Sequence, residues 1–453
     1  MVNICHIDGT DPGVSRDPGE VAMQRRSLVR TIAVFATGML CGLLLLSPAG
    51  AHVGGTVGHL WRQHIKPRVL KQHYTKTQSN SRYFTRSQAD SRFLSEADLT
   101  NRISVLTEGN AWGPSVAIGQ DGLPIVAFYS GDEFLVAHCD DATCSSSTIT
   151  VLDSFSGFQN SAARTSIAIG TDGRALISYS HVENADLVVA HCSDVSCTSA
   201  TTTPIDTLGS VGQTSSIAIG ADGWGLISYN DSDNSSLKVA HCSDQECTVA
   251  TTDTVDDTEG VGHLSSIAIG SDDRALIAYP ELNTALRVAH CSNAACTDAT
   301  VTPIVTEGAF FDSPSVAIGS NGRGLISYRN YGDNVVGLAR CSNLSCTAAT
   351  TEDLAPVGNV GGEGAVVIAP DGRATISFWN DETSDLGVVR CLNTLCTKFR
   401  TTTADELGDV GRLSDIVIGP DGLPLIVYVG EPGPLRLLGC GTPGCGALFF
   451  ERS

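Results

Sequence analysis

The chain is short of positive charge. Its 453 residues carry 28 Lys and Arg against 49 Asp and Glu, a formal charge of −21. A nucleic-acid binder needs clustered cations to displace counterions from phosphates, so nucleic acid is excluded as a partner. Methionine is scarce at 3 residues, and aromatics make up only 6%. An HExxH metal motif, a Gly-x-Ser-x-Gly elbow and a phosphate-cradling Gly loop are all missing. The sequence therefore nominates no catalytic residue, no metal site and no cofactor. There is one long apolar run, Thr31 to Leu46. At about 16 residues it is short for a membrane span, which needs roughly 20. The plentiful components are 42% hydrophobic residues, 47 Gly and 16 Cys, enough for a packed core, which excludes a disordered tail protein.

The apolar run follows Arg25, Arg26 and Arg30 and precedes Ser47-Pro48-Ala49-Gly50-Ala51. A basic start, an apolar stretch and a small-x-small end read as a secretory signal with cleavage after Ala51, leaving no stable membrane span. Residues 1–51 form this export segment, and Met23 is the expected true start. Arg25-Arg26-Ser27-Leu28-Val29-Arg30 resembles a twin-arginine signal, so both the general and the twin-arginine routes stay open. Beyond the signal the charge divides. Residues 52–102 hold 9 cations and 3 acids, whereas residues 103–453 hold 15 and 42. Such opposite balances mark two regions with a boundary near Arg102.

Within 52–102, residues 73–102 form three decads, each opening on His73, Tyr83 or Phe93 and closing on Arg82, Arg92 or Arg102. This stretch resembles the short repeats of phage tail-fibre stalks. The resemblance implies an extended spacer through which the protein could oligomerise. The low apolar content favours the alternative of a flexible polar linker. His52, His59, His64 and His73 lack compact metal-ligand spacing and read as solvated.

Residues 103–453 repeat one sentence seven times. It begins Ser115-Val-Ala-Ile-Gly119, Ser166-Ile-Ala-Ile-Gly170, Ser216-Ile-Ala-Ile-Gly220, Ser266-Ile-Ala-Ile-Gly270, Ser315-Val-Ala-Ile-Gly319, Ala365-Val-Val-Ile-Ala369 and Asp415-Ile-Val-Ile-Gly419. Each is followed by a turn, typically Asp172-Gly173, in which both central positions of a tight hairpin would take positive φ. A second β-run (Ala175–Tyr179), a third (Leu187–Cys192) and a fourth (Ser199–Ile205) complete the unit. Four antiparallel strands per fifty residues, seven times over, predict an all-β fold, the seven-bladed β-propeller. Ala117, Ala168, Ala218, Ala268 and Ala317 hold one small slot in the first strand, as blades converging on an axis require. Two segments compete to close the ring: Arg102–Thr107, which resembles a fourth strand, and Ala447–Phe450.

Fourteen cysteines form one Cys-x4-Cys pair per repeat: Cys139/Cys144, Cys192/Cys197, Cys242/Cys247, Cys291/Cys296, Cys341/Cys346, Cys391/Cys396 and Cys440/Cys445. Cys5 and Cys41 fall in the export segment. With an even count in an exported chain, each pair reads as a disulfide between facing residues that flank the third turn. His138, His191, His241 and His290 precede the first cysteine, with Arg340, Arg390 and Gly439 in the same slot. Side chains spread so widely around a ring read as half-buried strand residues.

The turns within hairpins one and three are uniform, whereas the second-to-third and inter-blade loops vary, and variable loops on a rigid scaffold are where recognition sits. Those loops are acidic with scattered aromatics. Trp112, Phe310, Phe311, Tyr331, Trp379 and Asp381 are the candidate ligand contacts, since aromatic faces beside carboxylates suit sugar rings. Asp231 and Asp233 lack the rest of a calcium loop. Sialoside-cleaving propellers resemble this chain in their repeated Asp-Gly-type turns, but their Ser-x-Asp-x-Gly-x-x-Trp order and carboxylate-clamping arginines are missing. The full repeat, Ile-Gly-x-Asp-Gly-x-x-x-Ile-Ser-Tyr then Val-Ala-His-Cys-x4-Cys, resembles secreted bacterial seven-bladed propeller proteins, a likeness that implies no activity. The reading is an exported, non-catalytic recognition or scaffolding module, lectin-like, at the cell exterior, with glycan or extracellular protein as partner. The alternative is a propeller hydrolase or lyase acting on glycans.

Overall fold

The computed structural model describes residues 100–156, 163–282, 284–306, 311–330, 332–354, 364–430 and 433–446, without the side chains of Phe311 and Asp312. The expected export segment, all but the last residues of the spacer, Cys5, Cys41, Phe310, Tyr331 and Ala447–Phe450 lie outside them.

The alternation Ile167/Ile169 and its counterparts gives two-sided strands, and 28 strands pair into seven four-stranded antiparallel sheets among the described residues. Blade one consists of Ala111–Ile118, Pro124–Ser130, Glu133–Cys139 and Ser147–Ser154, paired in that order. Blades two to six span residues 166–206, 211–256, 266–305, 311–354 and 366–405. Blade seven takes its first three strands from residues 410–439 and its fourth from Arg102–Thr107, which pairs antiparallel with Leu435–Gly439. The N-terminal segment thus closes the ring. Asn101 extends this seam, donating Nδ2–H to the Cys445 carbonyl at 2.8 Å.

The core is not central. Each of seven apolar clusters joins two neighbouring blades, as Leu176, Leu187 and Val189 of blade two meet Val211, Ile227 and Tyr229 of blade three. A blade buries both faces against its neighbours, so its middle strands read as continuous apolar runs. The Ala slot serves these contacts: Ala218 packs into the interface of blades three and four, and Ala268 into that of blades four and five.

The Asp-Gly hairpin differs from the tight turn expected. Only the glycine is left-handed, with φ +80° at Gly122 and Gly173. Gly119 N–H donates to Leu123 O at 2.8 Å and Gly122 N–H to Gly119 O at 2.9 Å, a three-residue loop closed by a left-handed glycine. The aspartate is not left-handed in this loop, and its side chain is held on both oxygens: Asp172 Oδ1 accepts from Arg174 N–H at 3.1 Å, and Oδ2 accepts from His191 Nε2–H at 2.9 Å. The histidines before the cysteines therefore tie strand three to the first turn. His138–Asp121, His241–Asp222 and His290–Asp272 repeat the pair at 2.8 to 2.9 Å.

All seven disulfides form as paired in sequence: Cys139–Cys144, Cys192–Cys197, Cys242–Cys247, Cys291–Cys296, Cys341–Cys346, Cys391–Cys396 and Cys440–Cys445, with Cα–Cα distances of 4.7 to 4.8 Å. Their placement corrects the expectation of two facing residues. The first cysteine ends strand three and faces not its partner but a residue of strand four, as Cys139 faces Ser147, Cys242 faces Ala250 and Cys391 faces Phe399. The second cysteine lies inside the turn. Cys144, Cys197, Cys247, Cys296, Cys346, Cys396 and Cys445 are all left-handed, φ +50° to +55°. The reason is the tightness of the turn: the N–H of the second cysteine donates to the carbonyl three residues back, Cys144 to Asp141 and Cys396 to Asn393 at 3.0 Å, Cys296 to Asn293 at 3.2 Å, and Cys247 to Asp244 and Cys346 to Asn343 at 3.3 Å. A left-handed backbone is costly for a residue with a Cβ. The residue two after the first cysteine stabilises it: Asp194 Oδ1, for example, accepts from the N–H groups of Ser196 and Thr198 at 3.0 and 3.1 Å.

Candidate functional site at the mouth of the central channel

The first strands enter the axis from the variable loops, and the entering backbone bends. Pairing shifts register between Trp112 and Ser115, Val211 and Ser215, Asp312 and Ser315, and Arg412 and Asp415. Leu264, Ser313 and Leu413 sit there at positive φ, with Gly113 at the matching place in blade one. Strained non-glycine residues of this kind cluster where a scaffold holds a ligand. The bends leave a cavity of about 170 Å³ lined by all seven blades, including Ser115, Arg164, Ser166, Ser216, Ser266, Ser315, Ala365 and Asp415.

The serines carry the ring. Ser166 Oγ accepts from Ile217 N–H of the next blade at 3.1 Å, Ser216 from Ile267 at 3.2 Å, Ser266 from Val316 at 3.1 Å and Ser315 from Val366 at 3.1 Å. Blade six breaks the series because Ala365 has no acceptor. Blade seven repairs it: Asp415 Oδ1 accepts from its own Ile416 N–H at 2.8 Å, and Oδ2 from Val116 N–H at 2.9 Å. One carboxylate thus does the work of two hydroxyls. Burial pushes the Asp415 pKa up to about 6, against the two backbone N–H groups that lower it.

Ser166, Ser216, Ser266 and Ser315 each accept one N–H from the neighbouring blade, and all four are only half-buried. Their hydroxyl protons stay available, so they form an arc of donors on the cavity wall over blades two to five. Asp415 supplies an acceptor in blade seven, and Arg164 a cation in blade two. A second hydroxyl layer lies behind the first. Ser215 donates to Ser178 at 2.8 Å, and Ser265 and Ser414 pair with Ser228 and Ser377 at 2.9 Å. Where the second strand offers Ala278 or Val427 instead, the facing blade brings Pro314 or Pro114.

The structure distributes the aromatic candidates rather than gathering them. Trp112 is half-buried against the core between blades one and two. Trp379 is 8% exposed, and the Arg412 guanidinium lies over its ring at 3.7 Å. Asp381 is exposed in the adjoining loop. Asp231 is spent on its own loop, Oδ1 accepting from Asn234 N–H, and Asp233 on the inter-blade loop, Oδ2 accepting from Ser210 N–H, both at 3.0 Å. Sequence reasoning missed the serine ring and Asp415. The signal was one column of the repeat, in which five Ser give way to Ala365 and then Asp415.

The chain matches no protein-family model and no curated protein in sequence. Among solved structures it is similar to the hydrazine synthase of Kuenenia stuttgartiensis, with a TM-score of 0.51 and 10% identity over 74% of this chain and 96% of that one. It is also similar to a protein of unknown function from Dyadobacter fermentans, with a TM-score of 0.45 and 15% identity over 75% and 98% of the two chains. The polysaccharide lyase Uly1 gives a TM-score of 0.46 and 10% identity over 78% and 95%. At such identities the first likeness speaks for the propeller fold alone, in agreement with the seven blades described above.

Proposed function

We propose that this protein is an exported recognition module that binds a polyhydroxylated ligand of the glycan class at the variable-face mouth of its channel, held on the basic spacer of residues 52–102. The observation that carries this reading is the arc of four serine O–H donors on the same wall as the Asp415 acceptor. A sugar offers ring and hydroxyl oxygens to such donors, and a hydroxyl proton to such a carboxylate. Trp112 and Asp381, with Phe310, Phe311 and Tyr331, are the proposed rim contacts, whereas the Trp379 ring is covered by Arg412. A disulfide in every blade is compatible with an oxidising, extracellular setting. Two-carboxylate glycoside hydrolysis needs an acid and a partner flanking one bond. Asp415 is the one carboxylate among the described lining residues, which favours binding over turnover.

The test is a glycan array probed with the oxidised full chain and with its Asp415→Asn and Ser216→Ala/Ser266→Ala variants. Binding that falls about tenfold in both variants, with no reducing ends or unsaturated products released, supports the reading. Binding unchanged by both variants moves the site to the loop aromatics, to be checked with Trp112→Ala, and turnover of the bound glycan overturns the non-catalytic assignment.

A further inference from the structure

On the opposite face, where the first turns and the disulfide clips lie, blades five and six enclose a cavity of about 470 Å³. Its chemistry is set by one departure from the repeat. In blades one to four the turn aspartate is paired with the histidine of strand three, and in blade six Asp371 is paired with Arg390. Blade five keeps the arginine, Arg340, but has Asn321 in the turn.

The exchange removes a carboxylate from beside Arg340 and Arg323. Asn321 Oδ1 still accepts from Arg323 N–H at 3.0 Å, which leaves its Nδ2 where the other blades present a carboxylate oxygen. Arg340 pairs with Glu352 on the outer strand, Nη2 to Oε2 at 3.2 Å, and its Nη1 is buried with no hydrogen-bond partner among the described residues. Arg323, like Arg274 of blade four, makes no ion pair among the described residues, whereas Arg174 and Arg373 lie 3.9 Å from Asp172 and Asp371. Asn321, Arg323 and Arg340 all line the cavity. A second feature sits beside them. Leu325, Ile368 and Leu395 form apolar wall, and Leu395 is 57% exposed at the clip of blade six. The matching clip positions of blades three and four are Glu246 and Ala295.

We propose that this cavity binds a carboxylate carried on a compact apolar body, the ligand carboxylate standing where the other blades place their own aspartate. Arg340 and Arg323 supply the charge, the Asn321 amide donates one hydrogen bond, and Leu325, Ile368 and Leu395 receive the apolar part. A guanidinium nitrogen left without a partner, as Arg340 Nη1 is among the described residues, is suited to a carboxylate oxygen. Two sources share this chemistry, a free short-chain acid and the carboxyl end of a peptide.

Calorimetry on the oxidised full chain tests it with hexanoate and N-acetyl-leucine as probes and N-acetyl-leucinamide as the neutral control. The decisive variant is Asn321→Asp, which restores the internal pair and keeps the fold, so its melting temperature should equal or exceed that of the parent. The expected result is carboxylate binding weakened about tenfold or more in Asn321→Asp and in Arg340→Gln, and about tenfold weaker for the amide than for its acid. Tighter binding of N-acetyl-leucine names a peptide end, and of hexanoate a free acid. Equal binding of acid and amide, full competition by chloride at matched ionic strength, unchanged affinity in Asn321→Asp, or no binding of either acid at millimolar concentration overturns the proposal. None of these outcomes bears on the channel mouth, which lies on the other face.

Discussion

The Tyr229 hydroxyl of blade three donates to Asp206 Oδ2 at the end of the outer strand of blade two, at 2.8 Å. Lys238, one strand further out in blade three, pairs with the same oxygen at 2.5 Å. Tyr279 and Arg287 hold Asp256 in this way, and Tyr428 and Arg436 hold Asp405. These latches bind successive blades at their outer edges, as the serine ring binds them at the axis.

Tyr229→Phe removes one hydrogen bond to a buried charge and is expected to cost about 2 kcal/mol in denaturant unfolding. Burial raises the Asp206 pKa, but Lys238 and Tyr229 outweigh it and hold the carboxyl below its usual range. With the folded value depressed, the latch stabilises fully above about pH 4 and its contribution is lost as pH falls through the lower, folded value. Asp206→Asn should therefore lose less stability than the parent between pH 4 and pH 2. An equal loss would refute the latch.

Asp415 has the opposite sign. Its folded pKa of about 6 lies above the unfolded value, so the native state holds the proton more tightly. Its stabilising contribution is whole below about pH 4 and is lost as pH rises through 6. Asp415→Asn removes that slope and leaves one of the Val116 and Ile416 N–H groups without its acceptor, at about 1–3 kcal/mol. Unfolding free energies at pH 4.5 and 7.5 measure both effects, and a variant with the parent's slope would rule out Asp415 as the titrating group.

The buried serines give a matched pair. Ser228 is hydrogen-bonded to Ser265, whereas Ser327 in the same position of blade five lines a cavity with Gly364 and its Oγ has no hydrogen-bond partner among the described residues. Ser228→Ala is expected to destabilise by about 1 kcal/mol, and Ser327→Ala to be neutral or stabilising, because it removes an unsatisfied group. Thermal melts of the two variants decide this, and a larger loss for Ser327→Ala would count against it.

Each clip closes six residues, so the Cys192→Ser/Cys197→Ser pair should lower stability by about 2 kcal/mol on the chain-entropy view. Cys197 is left-handed, so the freed residue relaxes toward ordinary φ and the clip loop should lose amide-exchange protection. Blades five and six, far around the ring, should keep theirs. Loss of protection around the whole ring would mean that the clips act globally.

The blade count, the strand order within each blade and all seven cysteine pairings were legible in the sequence because they are local. Period-two alternation, the Asp-Gly turn and the Cys-x4-Cys spacing each act within about ten residues. The repeat multiplies each signal sevenfold. Spacing did not disclose the backbone of the second cysteine, since Cys144 and its six counterparts become left-handed only once their N–H groups close the turn. Closure by Arg102–Thr107 was not legible, since two segments had the right pattern and only antiparallel pairing with Leu435–Gly439 separates them. The sites were hidden for a related reason. Asp415 meets Val116 across 299 positions of sequence, and Arg340 matters because Asn321, 19 positions away, is not an aspartate. Trp379 reads in sequence as an open platform, and only packing puts Arg412 over it. A repeat states what each blade does for itself, whereas the ring decides which side chains meet, because the contacts around the axis run between blades.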